Sequence, residues 1–479
     1  MAALLLTSMV WSGHAQEKNE MDLSGEWAFQ TDVMDFRRGS LDVRYCHRLQ
    51  ESIVLPGITD DYKIGYKSPY RHLDRLTRVY EYMGPAWYQR EIEIPVAWKG
   101  KRIFLYFERT HWLSSVYVGK EEVSKIDYIS IPHNHELTQW LHPGKKELIT
   151  FCIDNRYQYD THKWDHAHSE FTQINWNGVL GEIKLVAVDP VYVDDMQVYP
   201  DIKNKSIKVK MTVRNCTEHT ASGKISFHVT GKDYRLQKEV PVTVTDSITY
   251  IEEEMFLGKD IHLWNEFHPN LYTLDCKLTS SVDGQSYAHE KSTTFGMREV
   301  EAGEDHIILN GEPIHLRGTV ENAVFPKTGY APVDDASWER VLRILKEYGM
   351  NHMRFHSWCP PAAAFRMADK LGVYLEVEMP MWGKDAQPDE KRWNFFRREL
   401  RGILKEYGNH PSFILYCNGN ESLPPRPASW ITAVYTAVPQ PAHVSNQTSS
   451  TLPIRLPKDT WPSTKDVLIQ TGTKTRNWE

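Results

Sequence analysis

The sequence predicts a multidomain protein: a jelly-roll-like β-sandwich, an immunoglobulin-like β-sandwich and the N-terminal part of a (β/α)8 TIM barrel. Three observations support this fold class. The 479 residues are too many for one ordinary domain. Short segments of alternating apolar and polar residues fill the chain to about residue 298. From residue 299 onwards, strand patterns alternate with helix patterns. The predicted domains are therefore 16–188, 189–298 and 299–421, followed by an atypical tail at 422–479.

The composition narrows the class of partner. Charged residues make up 25% of the chain and the net charge is −7, which lacks the basic excess typical of nucleic-acid-binding proteins. Aromatic residues reach 12% and include 16 Trp. Aromatic rings stack well on sugars, but they also fill sandwich cores, so this content favours a carbohydrate partner only weakly. We expect no nucleic-acid partner.

The N-terminus resembles an export signal. Residues 1–15 contain a short apolar run that ends in Gly13-His-Ala15, which fits cleavage after Ala15, although a basic start is missing. No later stretch approaches the length of a transmembrane helix. The sequence therefore predicts a signal peptide at 1–15, a periplasmic or secreted location and no membrane span.

The first sandwich is predicted from alternating segments at 90–95, 102–107 and 147–153, with turn residues between them. Within this domain, residues 160–168 (Asp-Thr-His-Lys-Trp-Asp-His-Ala-His) have the composition of a metal cluster. Their spacing matches no strong metal signature. We therefore expect an exposed polar loop there and predict no metal site.

The second sandwich is predicted from strict alternation at 206–213 and again at 224–229. Two of the six cysteines, Cys216 and Cys276, fall in this domain. They form either a disulfide across the sandwich or two buried thiols, and the sequence leaves both open. No pair has C-x-x-C spacing, so a cysteine zinc site is not expected.

After residue 299, four strand–helix units follow one another. An Asp at 334 or 335 is expected to cap the first helix, and Gly349 to stop it. Strands are predicted at 314–320, 352–358, 373–379 and 413–417, with a helix at 361–371 and another that carries Trp393 to Tyr407 on one face. Such units build the first half of a barrel.

Polar and aromatic residues follow all four strands: Glu321 and Asn322; His356, Ser357 and Trp358; Glu378 and Trp382; Asn420 and Glu421. Strand tips on one barrel face converge, so these side chains are expected to line one pocket. Each also has a purely structural interpretation; Trp358 and Trp382, for example, would then simply cap the barrel.

Several motifs together resemble glycoside hydrolase family 2, the β-galactosidase and β-glucuronidase family. They are Leu23-Ser-Gly-Glu-Trp27, Leu55-Pro-Gly57, Ala86-Trp-Tyr-Gln-Arg90, Asn175-Trp-Asn-Gly-Val-Leu-Gly181, Leu263-Trp-Asn-Glu-Phe-His-Pro-Asn-Leu-Tyr272, Phe295-Gly-Met-Arg298, Leu309-Asn-Gly-Glu-Pro313 and Asn418-Gly-Asn-Glu421. The resemblance covers about residues 21 to 421.

This resemblance implies retaining hydrolysis of a terminal β-glycoside, with a carbohydrate substrate and no cofactor. Retaining hydrolysis uses one carboxyl group as acid/base and a second as nucleophile. By resemblance, Glu421 is the acid/base and Asn420 binds the sugar 2-hydroxyl. His356, Trp358 and Trp382 are further candidates for the sugar pocket.

The sequence departs from the family at the nucleophile, which is expected at a later barrel strand. The later acids, Asp459, Asp466 and Glu479, follow no convincing buried strand, so the nucleophile stays unknown. A barrel needs about 250 residues, more than the chain has after Glu299. The tail 422–479 is proline-punctuated, although 442–446 has a weak strand pattern.

We therefore expect a frameshifted or truncated product. Two function classes follow: an exo-β-glycosidase, or a non-catalytic fragment that at most binds carbohydrate. The sequence leaves the sugar, the linkage and the oligomeric state open.

Overall fold

The computed structural model describes residues 19–33, 49–171, 174–303, 306–383, 389–420 and 443–445, the last as backbone only. Residues 1–15, Cys46, Glu421 and the tail apart from 443–445 lie outside the described residues. The predictions made for them, including the signal peptide and the acid/base role of Glu421, stay predictions.

The first domain is a sandwich of two antiparallel sheets. Its strands are β1 (Glu20–Asp22), β2 (Gly25–Thr31), β3 (Glu51–Leu55), β4 (Gly57–Ile58), β5 (Tyr66–Lys67), β6 (Tyr80–Glu81), β7 (Pro85–Glu93), β8 (Arg102–Thr110), β9 (Leu113–Val118), β10 (Glu121–Ile126), β11 (His133–Glu136), β12 (Lys146–Asp154) and β13 (Gly178–Val188), with short 3-10 helices at Thr59–Tyr62 and Val96–Trp98. One sheet has the order β10-β9-β12-β7-β2-β3, and the other has β1-β13-β8-β11 with β4 beside β13.

The two sheets face each other across an apolar core, as the alternating sequence pattern requires. Phe107 of β8 and Phe151 of β12 come from opposite sheets, and their ring centroids lie 4.8 Å apart. Trp27 meets Phe151 edge-on at 5.0 Å. All three rings are fully buried. Alternation along each strand therefore sends one set of side chains inward and the other to the surface.

The second domain is a seven-stranded sandwich, the strand count of the immunoglobulin type that the sequence predicts. Its strands are β14 (Val191–Asp201), β15 (Ser206–Asn215), β16 (Ala221–Thr230), β17 (Arg235–Val244), β18 (Ile248–Phe256), β19 (Tyr272–Val282) and β20 (Gln285–Phe295). They form the sheets β14-β15-β18 and β17-β16-β19-β20.

Of the two alternatives for the cysteines of this domain, the structure shows free thiols, and only one of them is buried. Cys216 and Cys276 form no disulfide with each other. Cys276 is buried, with its Sγ 3.7 Å from Met211 Sδ. Cys216 is exposed, because it lies just beyond the end of β15 rather than on an inward position of a strand.

The third domain begins with a small antiparallel sheet and continues with parallel strands and helices. Its elements are β21 (Val300–Ala302), β22 (Ile307–Leu309), β23 (Glu312–Ile314), β24 (Gly318–Glu321), α1 (Asp335–Glu347), β25 (His352–Phe355), α2 (Ala362–Leu371), β26 (Tyr374–Glu378), α3 (Glu390–Tyr407), β27 (Phe413–Cys417) and β28 (His443–Ser445). Strands β24 to β28 pair in chain order, each parallel to the next.

Two strand predictions have clear outcomes. The strand predicted at 314–320 is wrong in extent, since β23 ends at Ile314 in the antiparallel sheet and β24 begins at Gly318. The weak pattern at 442–446 is confirmed as a fifth strand, because the backbone of β28 pairs with β27.

Local signals determine where the helices begin and end. Asp334 caps α1 by accepting a hydrogen bond from Ser337 N at 2.8 Å, and Asp389 caps α3 by accepting from Arg392 N at 2.9 Å. Such caps satisfy amide groups that have no partner within the helix. Gly372 ends α2 with a φ of 68°, a left-handed conformation that glycine adopts without strain.

Helix α3 rests on both sandwiches. Phe395 meets Trp112 of the first domain with ring centroids 5.5 Å apart, and the buried Glu399 accepts from Ile129 N at 2.8 Å. At the end of the helix, Asn409 Oδ1 accepts from Val198 N of the second domain at 2.9 Å. These contacts hold the third domain against both sandwiches.

Candidate active site

Arg354 joins the tips of the parallel strands. It lies on β25 and is half-buried, and its Nε donates to Glu378 Oε1 at 2.5 Å. Its Nη2 donates to Asn420 Oδ1, beyond the end of β27, at 3.2 Å. One guanidinium therefore connects three neighbouring strands at the edge where the sequence predicts the pocket.

The backbone around Asn420 is fixed on both sides. Asn420 N donates to Met381 O at 2.9 Å, and Gly383 N donates to Asn420 O at 3.1 Å. The preceding Gly419 has a φ of 96°, and a Cβ built there would lie 2.3 Å from Met381 O. Only glycine fits this close approach. The buried Asn420 amide is thus held both through its backbone and through Arg354.

Glu378 is a fully buried carboxylate at the tip of β26. Besides Arg354, it accepts from the backbone N of Ser357 at 2.7 Å. Burial raises the pKa of Glu378 to about 7, against the opposing effect of the neighbouring Arg354 charge. Because both oxygens are engaged, Glu378 positions Arg354 and the turn at Ser357.

The carboxylates of Glu376 and Glu378 and the thiol of Cys417 bring ligand atoms within 4.8 Å of one another. Arg354 Nε, however, lies 3.6 Å from Glu376 Oε1. We therefore assign the guanidinium, rather than a metal ion, as the cation for these acids.

The first domain contributes a side chain that the sequence analysis missed. His166 lies on the loop after β12, and its ring Nδ1 lies 3.0 Å from Nδ1 of His356. Its backbone N donates to Ser357 Oγ at 3.0 Å. Burial and the nearby His356 lower the pKa of His166 to about 4, so the ring is neutral near pH 7. The candidate site is therefore shared between two domains.

The prediction of an exposed polar loop at 160–168 is wrong for the part that faces this site. Thr161, Asp165, His166 and His168 are buried, while Asp160, Lys163 and Trp164 are exposed. The third domain covers the loop, and no local pattern reveals that cover because its residues come about 190 positions later. The only signal in the sequence was the density of His and Asp residues.

Trp382 is half-buried beside the two histidines. Its ring stacks on His166, with centroids 5.5 Å apart and planes 24° apart, and meets His356 edge-on at 4.8 Å. A bridge in the backbone pairs it with Asn420. The structure thus brings together three of the predicted site residues: His356, Trp382 and Asn420.

Trp358 lies deeper than the sequence analysis supposed. Its side chain is 4% exposed, and its Nε1 donates to Glu321 O at 3.0 Å. Phe355 meets its ring edge-on at 5.2 Å. A ring enclosed in this way offers little face to a sugar, so the packing favours a core role over the predicted sugar contact.

The side chain of Glu321 stabilises the turn after β24. Its carboxylate accepts from Ala323 N at 2.9 Å and from Val324 N at 3.3 Å. Burial raises the pKa of Glu321 to about 7. Asn322 is exposed. Glu421, the predicted acid/base, lies outside the described residues, so its role stays a prediction.

Comparison with known proteins adds three findings. Residues 191–298 match the sequence model of the glycosyl hydrolases family 2. A β-galactosidase of Thermoanaerobacter pseudethanolicus is 23% identical over 350 residues, covering 72% of this chain and 46% of that protein. The β-glucuronidase of Sus scrofa is 21% identical over 457 residues, covering 88% of this chain and 66% of that protein.

Solved structures show the same fold. A crystal structure of Bacteroides uniformis β-glucuronidase has a TM-score of 0.68 at 20% identity, covering 84% of this chain and 47% of that one. A family 2 member from Bacteroides cellulosilyticus has a TM-score of 0.70 and covers 89% of this chain. This chain spans about half the length of several curated relatives it matches, for example 46% and 48% of two of them.

In the described part of the chain, none of the helices has the length and apolar character needed to cross a bilayer.

Proposed function

Because this chain is a relative of the family 2 glycosyl hydrolases, we propose that it carries the acid/base half of a retaining exo-β-glycosidase site. The substrate class is a terminal β-galactoside or β-glucuronide, as the names of the relatives suggest. The parallel strands β24 to β28 with their helices are, in this proposal, the first part of a (β/α)8 barrel. The apolar segment at 1–15 would direct the protein to the periplasm or outside the cell.

The observation that carries the proposal is the fixed Asn420 amide at the strand tips. Its Oδ1 is held by Arg354, so its NH2 group is left to donate to a ligand hydroxyl. The adjoining Trp382 is half-buried, with its ring stacked on His166. Glu421, next in sequence, would protonate the leaving oxygen and later activate water.

A second candidate is a non-catalytic, sugar-binding fragment, and a specific observation favours it. Retaining hydrolysis needs a second carboxylate as nucleophile. In the described part of the chain, the carboxylate beside Asn420 is Glu378, and both its oxygens already accept hydrogen bonds. Both candidate functions predict sugar binding, but only the glycosidase predicts hydrolysis.

The test is a titration of the 479-residue protein with 4-nitrophenyl β-D-galactoside and β-D-glucuronide, following tryptophan fluorescence and nitrophenol release together. We expect saturable binding of one of them that weakens markedly in Asn420→Ala. The matched control is Asn394→Ala on α3, an exposed asparagine whose Oδ1 accepts from Arg397 and which should bind as the parent does.

Turnover separates the candidates. Hydrolysis that falls by about 10²–10⁴-fold in Glu421→Gln supports the glycosidase, because that is the usual effect of general acid–base catalysis. Binding without turnover supports the fragment. Absence of binding to both glycosides, or equal binding by Asn420→Ala, would overturn the proposal.

A further inference from the structure

His166 and His356 form a close pair at the boundary between the first and third domains. The Nδ1 atoms of His166 and His356 face each other at 3.0 Å, and the two side chains are 5% and 9% exposed. One belongs to the first-domain loop, and the other follows β25. Neither is needed for the acid/base chemistry proposed above.

We propose that His166 and His356 form a binding site for a divalent transition metal of the Ni²⁺ or Cu²⁺ type, which bridges the two domains. Imidazole nitrogen is a preferred ligand of these ions. The site is independent of whether the chain hydrolyses glycosides.

The separation of the nitrogens favours this class of ion. With metal–nitrogen bonds of about 2.05 Å, nitrogens 3.0 Å apart subtend an angle of about 94° at the metal. That is close to the right angle of square-planar or tetragonal coordination, the geometry typical of Cu²⁺ and Ni²⁺. A tetrahedral ion such as Zn²⁺ would need the nitrogens about 3.3 Å apart, so the rings would have to separate.

The surroundings also disfavour hard cations. Ser357 Oγ lies 3.0 Å from His166 Nδ1 and can supply an oxygen ligand. The neighbouring carboxylate of Glu378 is already held by Arg354 and Ser357 N. Mg²⁺ and Ca²⁺ prefer several oxygen ligands, chiefly carboxylates and carbonyls. They should therefore bind here much more weakly.

Coordination through both Nδ1 atoms needs a tautomer change and a rotation of the rings, because in the hydrogen-bonded pair each Nδ1 faces the other ring rather than a metal beside both. In the metal-free pair, one neutral ring donates its Nδ1–H to the other. Metal binding would place the proton of each ring on Nε2, so both Nδ1 lone pairs point to the metal and no net proton is released.

The experiment is a calorimetric titration of the untagged 479-residue protein with NiCl2 at pH 7.5, paired with tryptophan fluorescence. We expect one Ni²⁺ per chain and quenching of Trp382, which stacks on His166. MgCl2 should neither bind at this site nor compete. His166→Ala and His356→Ala should each weaken Ni²⁺ binding by at least about 10–100-fold, since even outer-shell changes have that effect.

The control is His142→Ala. His142 is exposed, with its Nδ1 2.7 Å from Glu147, and so offers a competing surface pair. It should leave the affinity unchanged. Circular dichroism and a second variant, His166→Gln, guard against misfolding. Failure of the parent protein to bind Ni²⁺, or equal affinity in the folded His166 and His356 variants, would refute the site.

Discussion

The guanidinium Nη2 of Arg354 donates to the side-chain Oδ1 of Asn420 across 3.2 Å, although the two residues lie on opposite sides of strand β26. The same guanidinium pairs with Glu378 on that middle strand. Arg354 therefore holds both the predicted sugar-binding amide and the buried carboxyl group of Glu378. Stability and ligand geometry at this edge depend on one side chain.

The first prediction concerns that side chain. Arg354→Gln should lower the free energy of unfolding by about 1–3 kcal/mol, because Glu378 would lose a hydrogen-bond donor while remaining fully buried. Urea denaturation measures the loss. Arg343→Gln is the matched control: its partner Glu339 is on the surface of α1, so the change should be about 1 kcal/mol or less. Equal effects of the two variants would contradict the assigned role.

The second prediction is a pH dependence at the interface between domains. Burial raises the pKa of Glu399 to about 7 from an ordinary 4.5, so the folded state holds a proton that the unfolded chain releases. The contribution of the protonated Glu399 to the free energy of unfolding is therefore complete below pH 4.5 and is lost as the pH rises through about 7.

Glu399→Gln should flatten that decline in the free energy of unfolding by up to about 1.36 kcal/mol per pH unit, the effect of one proton. The measurement is a series of urea denaturation curves from pH 4.5 to 8. Glu347→Gln, at an exposed position on α1, should leave the slope unchanged. A wild-type slope in Glu399→Gln would show that Glu399 is ionised in the folded protein.

The third prediction separates a steric clash from backbone strain. Gly419 and Gly258 have similar positive φ values of 96° and 88°. A Cβ on Gly258 would meet nothing within 4 Å, whereas one on Gly419 would lie 2.3 Å from Met381 O. Gly419→Ala should therefore be less stable than Gly258→Ala by about 1–3 kcal/mol, the usual effect of overpacking.

The Gly419→Ala variant should also bind glycosides more weakly, because the displaced backbone carries Asn420. Thermal denaturation compares the two glycine variants, and the glycoside titration described above tests the binding. If Gly419→Ala were as stable as Gly258→Ala and bound normally, the close approach to Met381 would not be needed.

The fourth prediction is that the two sandwiches fold independently of the third domain, within the domain boundaries predicted from the sequence. Each sandwich has a core built from its own residues, around Trp27 and Phe151 in the first and Val209 and Leu278 in the second. Residues 16–298 should therefore fold without the third domain and melt cooperatively, although Trp112 would lose its contact with Phe395. Calorimetry and limited proteolysis of that fragment check this. A non-cooperative melt with early cleavage throughout would count against independent sandwiches.

The sequence by itself determined the order and type of the elements. Alternation predicted the sandwiches, Asp334 and Gly372 marked helix ends, and helical spacing placed α1 to α3 between parallel strands. These features depend on interactions within a few residues along the chain, which a sequence pattern records directly. The strand tips with Asn420 and Trp382 followed from the same patterns, because parallel strands share one carboxyl edge.

Only the tertiary structure decided what covers that edge. It placed His166 against His356 from a loop expected to be exposed, enclosed Trp358 in the core and left Cys216 exposed. Each outcome depends on how one domain or element packs against another far away in sequence. A residue is often buried by neighbours that are distant in the sequence. The residues next to it in the chain therefore need not show that it will be buried.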